Sequence, residues 1–119
     1  MNVAVVGASK KTERYSHQAI LLLQESGHTP YPVHPAIDEV ANLAVYKTVQ
    51  PIPDAIDTVS VYVAGRNQAK LGDDLLKSGV RRVIFNPGTE NPELAGQLRD
   101  ADVEVLEACT LVLLRTEQF

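Results

Sequence analysis

Short apolar runs rich in β-branched residues alternate along this chain with amphipathic stretches. Val3 to Val6 is apolar throughout, the pattern of a strand covered on both faces. A helix is expected from Ser16, as its cap, to about Ser26. Ala19, Ile20, Leu22 and Leu23 form its apolar face, and Gly27 suits the left-handed position that ends it. Thr29 to Val33 reads as a second strand, stopped by Pro35, and Val45 with Tyr46 as a piece of edge strand in an otherwise loop-like segment. Thr58 to Val63 is a central strand rich in β-branched residues, followed by a helix from about Asn67 to Ser78 that Gly79 closes. Arg82 to Phe85 is the next strand. Asn91-Pro92-Glu93 then supplies a cap, a proline at the first helical position and an acid in the first turn, for a helix to about Ala101. Val103 to Leu106 makes the last strand, and the apolar tail from Cys109 to Arg115 packs as a short helix.

Strands alternating with helices predict an α/β fold. It is Rossmann-like and doubly wound, with a mainly parallel five-stranded sheet and helices on both faces. In such a fold ligands sit at the carboxyl ends of the strands, where strand order reverses. The loops at those ends are Gly7-Ala8-Ser9, His34-Pro35, Ala64-Gly65 and Asn86-Pro87-Gly88. All four carry small residues, Pro, His or Asn in place of long charged side chains. The first is followed by the start of a helix, whose unpaired N–H groups favour an anion.

Length and charge narrow the function. A chain of 119 residues is read as one domain, residues 1–119, with no linker and no internal repeat. Its 45% hydrophobic and 22% charged residues are ordinary for a globular protein. A net charge of −4 argues against general affinity for nucleic acid. No apolar run approaches the roughly 20 residues of a membrane helix, and no export signal is visible, so cytoplasm is the expected compartment. A single cysteine, Cys109, excludes an internal disulfide and a Cys-rich metal site.

The type of nucleotide is constrained by what the first two strands lack. A dinucleotide fingerprint needs three glycines, but Gly7 stands alone, with Ser9 and Thr12 at the other two positions. The acid that would bond a ribose hydroxyl after the second strand is also missing; the sequence there is Tyr31-Pro32-Val33-His34-Pro35. A Walker loop is excluded, because no Gly-Lys-Ser/Thr follows at the right distance. What remains is a basic first loop, with Lys10, Lys11 and Arg14 between Ser9 and Ser16. These are either solvated loop charges or cations beside a phosphate.

An ordered series of residues adds to this reading. Val6-Gly7-Ala8-Ser9, Lys11, Arg14, Ser16, Gly27-His28, Tyr31-Pro32-Val33-His34-Pro35, Pro53-Asp54-Ala55-Ile56-Asp57, Gly79, Asn86-Pro87-Gly88 and Cys109 follow one another over almost the whole chain. In this the chain resembles the stand-alone CoA-binding domain family, itself similar to the CoA-binding part of succinyl-CoA synthetase and of ADP-forming acyl-CoA synthetases. The resemblance implies coenzyme A or acyl-CoA as ligand. Gly7, Ala8 and Ser9 would line the pyrophosphate with backbone N–H groups and the Ser hydroxyl, and Lys11, Arg14 and Ser16 would add phosphate contacts. His34 and Pro35 would border the adenosine, Val63 and Ala64 would form an apolar floor, and Asn86, Pro87 and Gly88 would border the pantetheine path. Departures are His34 for the usual Asn, Gly65 for a frequent Pro, Ile84 for a frequent Trp, Asn42 for a frequent Gly and Asn86 for Gln.

Catalytic groups are sparse. His17 reads as a surface residue, His28 as exposed beyond Gly27, and His34 as part of a site wall. Asp54 shapes a turn, and Asp73 and Asp74 face solvent at least in part, with no metal-ligand spacing. Cys109 reads as a small buried hydrophobe, or as a thiol that forms a mixed disulfide with CoA under oxidation. The leading expectation is a non-catalytic CoA or acyl-CoA binder, acting alone or with a larger synthetase or other protein partner. The others are a small acyl-transfer or thioester-handling enzyme using Cys109 or His34, an NAD or other nucleotide-binding regulatory module, and an interaction module with an empty or degenerate site.

Overall fold

The apolar runs form the sheet. In the computed structural model, which describes all 119 residues, the strands β1 (Asn2–Val6), β2 (Thr29–Val33), β5 (Thr58–Val61), β6 (Arg82–Phe85) and β7 (Glu104–Glu107) pair in the order β2-β1-β5-β6-β7. Every pairing is parallel, with Val3 opposite Pro30 on one side and Thr58 on the other. The fold is thus α/β with a five-stranded parallel sheet, as the alternation of patterns predicts. The helices are α1 (Tyr15–Glu25), α2 (Leu71–Ser78), α3 (Pro92–Asp100) and α4 (Thr110–Arg115).

The pleat of β1 divides the core. Val3 and Val5 face one layer with Ile20 and Leu23 of α1 and Leu114 of α4. Ala4 and Val6 face the other, with Leu75 of α2 and Leu94, Ala95 and Leu98 of α3. Side chains such as Leu23, Leu75 and Leu98 are fully buried, each contributing about 1.5–3 kcal/mol of transfer free energy. Because α1 and α2 leave β1 and β5 on opposite faces, the switch point lies between the carboxyl ends of these two adjacent strands.

The crossover from β2 to β5 has no helix. Val49, Ile52 and Ile56 cover the sheet in its place. Before them the chain forms a two-stranded antiparallel hairpin, β3 (Glu39–Val40) with β4 (Leu43–Ala44), which the sequence pattern does not reveal. Its turn is Ala41-Asn42, both at positive φ (52° and 64°), the geometry that fits a tight hairpin but that glycine usually announces. Tyr46 adds a single parallel bridge to Val33, so the expected edge strand shrinks to one residue.

Several boundaries differ from expectation. Arg14, not Ser16, occupies the cap position of α1, and no side chain caps it. A turn closed by the Arg14 N–H on the Lys11 carbonyl (3.1 Å) starts the helix two residues early and puts Ser16 inside its first turn. The second helix begins at Leu71 rather than Asn67, after a single 3-10 turn at Gly65–Asn67. The buried Gln68 side chain interrupts it, donating to the carbonyls of Val63 (2.7 Å) and Thr89 (2.8 Å). The Asn91 cap is as expected, its side chain accepting from the Leu94 N–H at 3.1 Å with Pro92 at the first helical position. His28 is half-buried, its ring 5.1 Å from that of Phe119, and burial pushes its pKa down. No helix is long and apolar enough to cross a membrane.

Candidate functional site

The switch point opens into a cavity of about 980 Å³. Val6, Gly7, Ala8 and Ser9 form one wall, Lys11, Arg14, Tyr15 and Ser16 the rim above it, and Val33, His34 and Pro35 the end beside β2. Tyr62 and Val63 close the β5 side. Nine of the residues singled out in the sequence therefore meet in one place: Gly7, Ala8, Ser9, Lys11, Arg14, Ser16, His34, Pro35 and Val63.

Gly7 is dictated by the close approach of β1 to β5. Its φ is +91°, and a Cβ there would lie 3.1 Å from both the Tyr62 carbonyl carbon and Val63 Cγ2. Only glycine fits that conformation and that gap without strain. The amides of Gly7 and Ala8, expected at a pyrophosphate, are used by the fold. Both donate to the Val33 carbonyl, at 3.0 and 3.2 Å, and tie β1 to β2. The Ser9 N–H has no protein acceptor, and further free donors are those of α1: its first internal bond to the preceding turn runs from Gln18 to Arg14 at 3.1 Å, leaving the N–H groups of Tyr15, Ser16 and His17 without a protein acceptor.

The loop between is held by a residue misjudged in the sequence. His17 is buried, not a surface residue, and its Nδ1 lies 2.7 Å from the Ser9 carbonyl. A carbonyl only accepts, so Nδ1 carries the proton. Ser9 Oγ accepts the Lys11 N–H at 3.1 Å, which leaves its own hydroxyl proton to donate. His34 is fixed at both ends: its N–H donates to Tyr46 O at 2.9 Å, and its Nδ1 accepts the Ala36 N–H at 3.0 Å. A neutral ring then presents Nε2–H as a donor.

Four expected residues lie outside this lining. Ala64 precedes the 3-10 turn, and Pro87 and Gly88 are exposed beyond β6. Asn86 is 2% exposed and wholly engaged. Its Nδ2 donates to Ser60 Oγ and to Val61 O, both at 2.9 Å, and its Oδ1 accepts the Thr110 N–H at 2.8 Å. It is an internal tie between β5, β6 and the start of α4. Cys109, just before α4, is a half-buried free thiol outside the cavity lining.

Other lining residues escaped the sequence reading, among them Lys47, Thr48, Tyr62, Asn67, Lys70 and Asp74. Asp74 is buried rather than solvent-facing, and its carboxylate accepts the Val49 N–H at 2.8 Å and the Gln50 N–H at 3.0 Å. The Tyr62 hydroxyl is buried without a hydrogen-bond partner, and burial pushes its pKa up. The lining thus carries four cationic side chains, Lys11, Arg14, Lys47 and Lys70, against the one carboxylate of Asp74, which is already occupied. Small residues at the floor, free helix amides at the rim and surplus positive charge suit a polyanionic ligand with an apolar part.

A family model described as CoA binding domain matches residues 1–115. The chain belongs to the CoA-binding domain family. It is similar to a Bacillus subtilis protein, Uncharacterized protein YneT, at 26% identity over 98 residues, covering 82% of this chain and 73% of that one. It is also 28% identical over 103 residues to acetate–CoA ligase (ADP-forming) of Methanocaldococcus jannaschii, covering 83% of this chain but only 15% of the ligase. Among solved structures, a hypothetical protein from Pyrococcus horikoshii superposes with a TM-score of 0.91 at 30% identity, covering 96% of this chain and 81% of that one. The chain is therefore related to the CoA-binding part of ADP-forming acetate–CoA ligases and spans a small fraction of such an enzyme.

Proposed function

We propose that this chain binds coenzyme A or acyl-CoA and performs no chemistry of its own, as a carrier, sensor or subunit beside a larger acyl-CoA synthetase. The observation that carries the reading is the cationic cavity at the β1/β5 switch point, in a chain of the CoA-binding domain family. The pyrophosphate lies over the Gly7-Ala8-Ser9 turn. Its contacts are the amides of Tyr15 to His17, the Ser9 hydroxyl and the side chains of Lys11 and Arg14. Gly7 and Ala8 serve it by being small, since their amides are spent on Val33. The adenosine lies toward His34 and Pro35 and the pantetheine leaves past Val63. Dinucleotide binding is disfavoured because the end of β2 offers His34 and Pro35 where a ribose-binding acid would stand.

Thermal denaturation with CoA, acetyl-CoA, NAD, NADP and ATP tests this. A ligand at a hundredfold over its Kd stabilises the folded state by about 2.7 kcal/mol, which for a chain of this length raises Tm by roughly 10 °C. CoA and acetyl-CoA are expected to give this shift. A shift with NAD and none with CoA overturns the proposal.

A further inference from the structure

The cavity holds more positive charge than a pyrophosphate needs. Lys11 and Arg14 stand on the first loop with the free amides of α1. A pyrophosphate diester carries one charge per phosphate, so these groups already match it. Lys47 and Lys70 belong to different parts of the chain and remain over.

Lys47 is placed by backbone geometry. Tyr46 lies beside β2 as an extra edge residue, its N–H donating to Pro32 O at 3.0 Å and its carbonyl accepting the His34 N–H at 2.9 Å. Lys47 is the next residue and emerges at the carboxyl end of β2. In this kind of sheet, that end is where a nucleotide's ribose is read and where a cation accommodates a ribose phosphate. Asp74 fixes the segment that follows, through its bonds to the Val49 and Gln50 amides, while the Val49 side chain is buried in the core. Lys70 stands one helical turn before Asp74, and the Asp74 N–H points back to its carbonyl at 3.5 Å. One buried carboxylate thus ties the segment that follows Lys47 to the helix α2, whose cap position is Lys70.

We infer that Lys47 and Lys70, brought to one end of the cavity by Asp74, form a second anion subsite that takes a phosphomonoester on the ligand's ribose. Such a group adds about 1.5 to 2 negative charges to those of the pyrophosphate. The inference rests on the proposed CoA reading, since CoA bears a 3′-phosphate on its ribose. Asp74 is a positioning residue: it touches the 49–50 backbone, and Lys47 makes the contact.

Calorimetric titration of the whole chain with four ligands tests the subsite. CoA is paired with 3′-dephospho-CoA, and NADP with NAD. The wild-type protein is expected to bind CoA about tenfold tighter than dephospho-CoA, the worth of one charge-assisted contact. Lys47→Ala removes most of that gap and leaves the dephospho-CoA affinity within about twofold; Lys70→Ala narrows it less. Asp74→Asn also narrows the gap, and adding it to Lys47→Ala narrows it no further, an outcome that a general loss of structure does not give. Equal binding of CoA and dephospho-CoA by the wild type overturns the subsite and leaves the CoA reading standing. So does a Lys47→Ala protein that loses affinity for both equally. A Lys47-dependent preference for NADP over NAD, with neither CoA form bound, keeps the subsite and removes the CoA reading. Binding of none of the four removes both.

Discussion

Asn86→Ala separates an internal role from a ligand-facing one. The side chain makes three hydrogen bonds in a dry environment, to Ser60 Oγ, Val61 O and the Thr110 N–H. After truncation Ser60 Oγ keeps the Thr110 hydroxyl at 2.8 Å, and Val61 O keeps the Asn86 N–H at 3.3 Å. The Thr110 N–H keeps nothing, because α4 has no other side-chain cap. One orphaned buried donor costs about 1–3 kcal/mol, and each lost but compensated bond about 1 kcal/mol. With the small void left by the amide, the loss comes to about 3–5 kcal/mol. A domain of this length has about 6–18 kcal/mol in total, so the variant folds but melts early. Urea denaturation followed by far-UV circular dichroism is expected to show its midpoint falling by about 1.5 M or more, at about 1–2 kcal/mol per M. The neighbouring exposed Pro87→Ala should stay within about 0.5 kcal/mol of wild type. A loss below about 1 kcal/mol for Asn86→Ala, with weakened CoA binding, would refute the internal role and return Asn86 to the wall of the ligand path.

Gly7→Ala forces a Cβ to within 3.1 Å of the Tyr62 backbone and Val63 Cγ2 at a φ of +91°. Strain and crowding together cost about 2–4 kcal/mol. Urea denaturation should show this alongside at least a tenfold loss of CoA affinity, and a variant with wild-type stability and binding contradicts the packing argument. Tyr31 donates its hydroxyl to Asp54 Oδ2 at 2.5 Å, and this bond above all raises its pKa to about 12 from the usual 10. The bond needs the protonated phenol, so its stabilisation is present below pH 10 and is lost as pH rises from 10 toward 12. Asp54 is exposed, which reduces the effect to a fraction of a kcal/mol. Denaturation midpoints of wild type and Tyr31→Phe should therefore converge between pH 9 and 11.5; a constant difference across that range refutes the assignment.

The elements that carry the sheet were legible because each depends on a local signal. Val3 to Val6 and Thr58 to Val61 are apolar or β-branched enough to be strands anywhere, and Asn91-Pro92 names its own helix start. The first loop was legible for the same reason, since glycine at position 7 and the cations at 11 and 14 stand close together in the chain. What stayed hidden is set by long-range contact. His17 looks like any polar residue on a helix until the fold brings it under Ser9, and Asp74 shares its helix turn with the exposed Asp73. The Ala41-Asn42 turn offers no glycine to mark the hairpin.

The hidden residues have one physical origin in common. A helix in the β2–β5 crossover would satisfy its own backbone and keep its polar groups to itself. An irregular segment pressed onto the sheet by Val49, Ile52 and Ile56 has amides that need outside acceptors, and buried N–H groups without partners are rarely tolerated. Asp74 supplies that acceptor for residues 49 and 50. Its buried charge is acceptable because two amides solvate it and because cations line the cavity beside it. The bonds that satisfy the segment also fix where Lys47 emerges. In this chain, the need to cover a helix-free crossover and the need for positive charge beside β2 are met by the same carboxylate, 25 residues from the amide of Val49 and 24 from that of Gln50. No window of local sequence contains that relation.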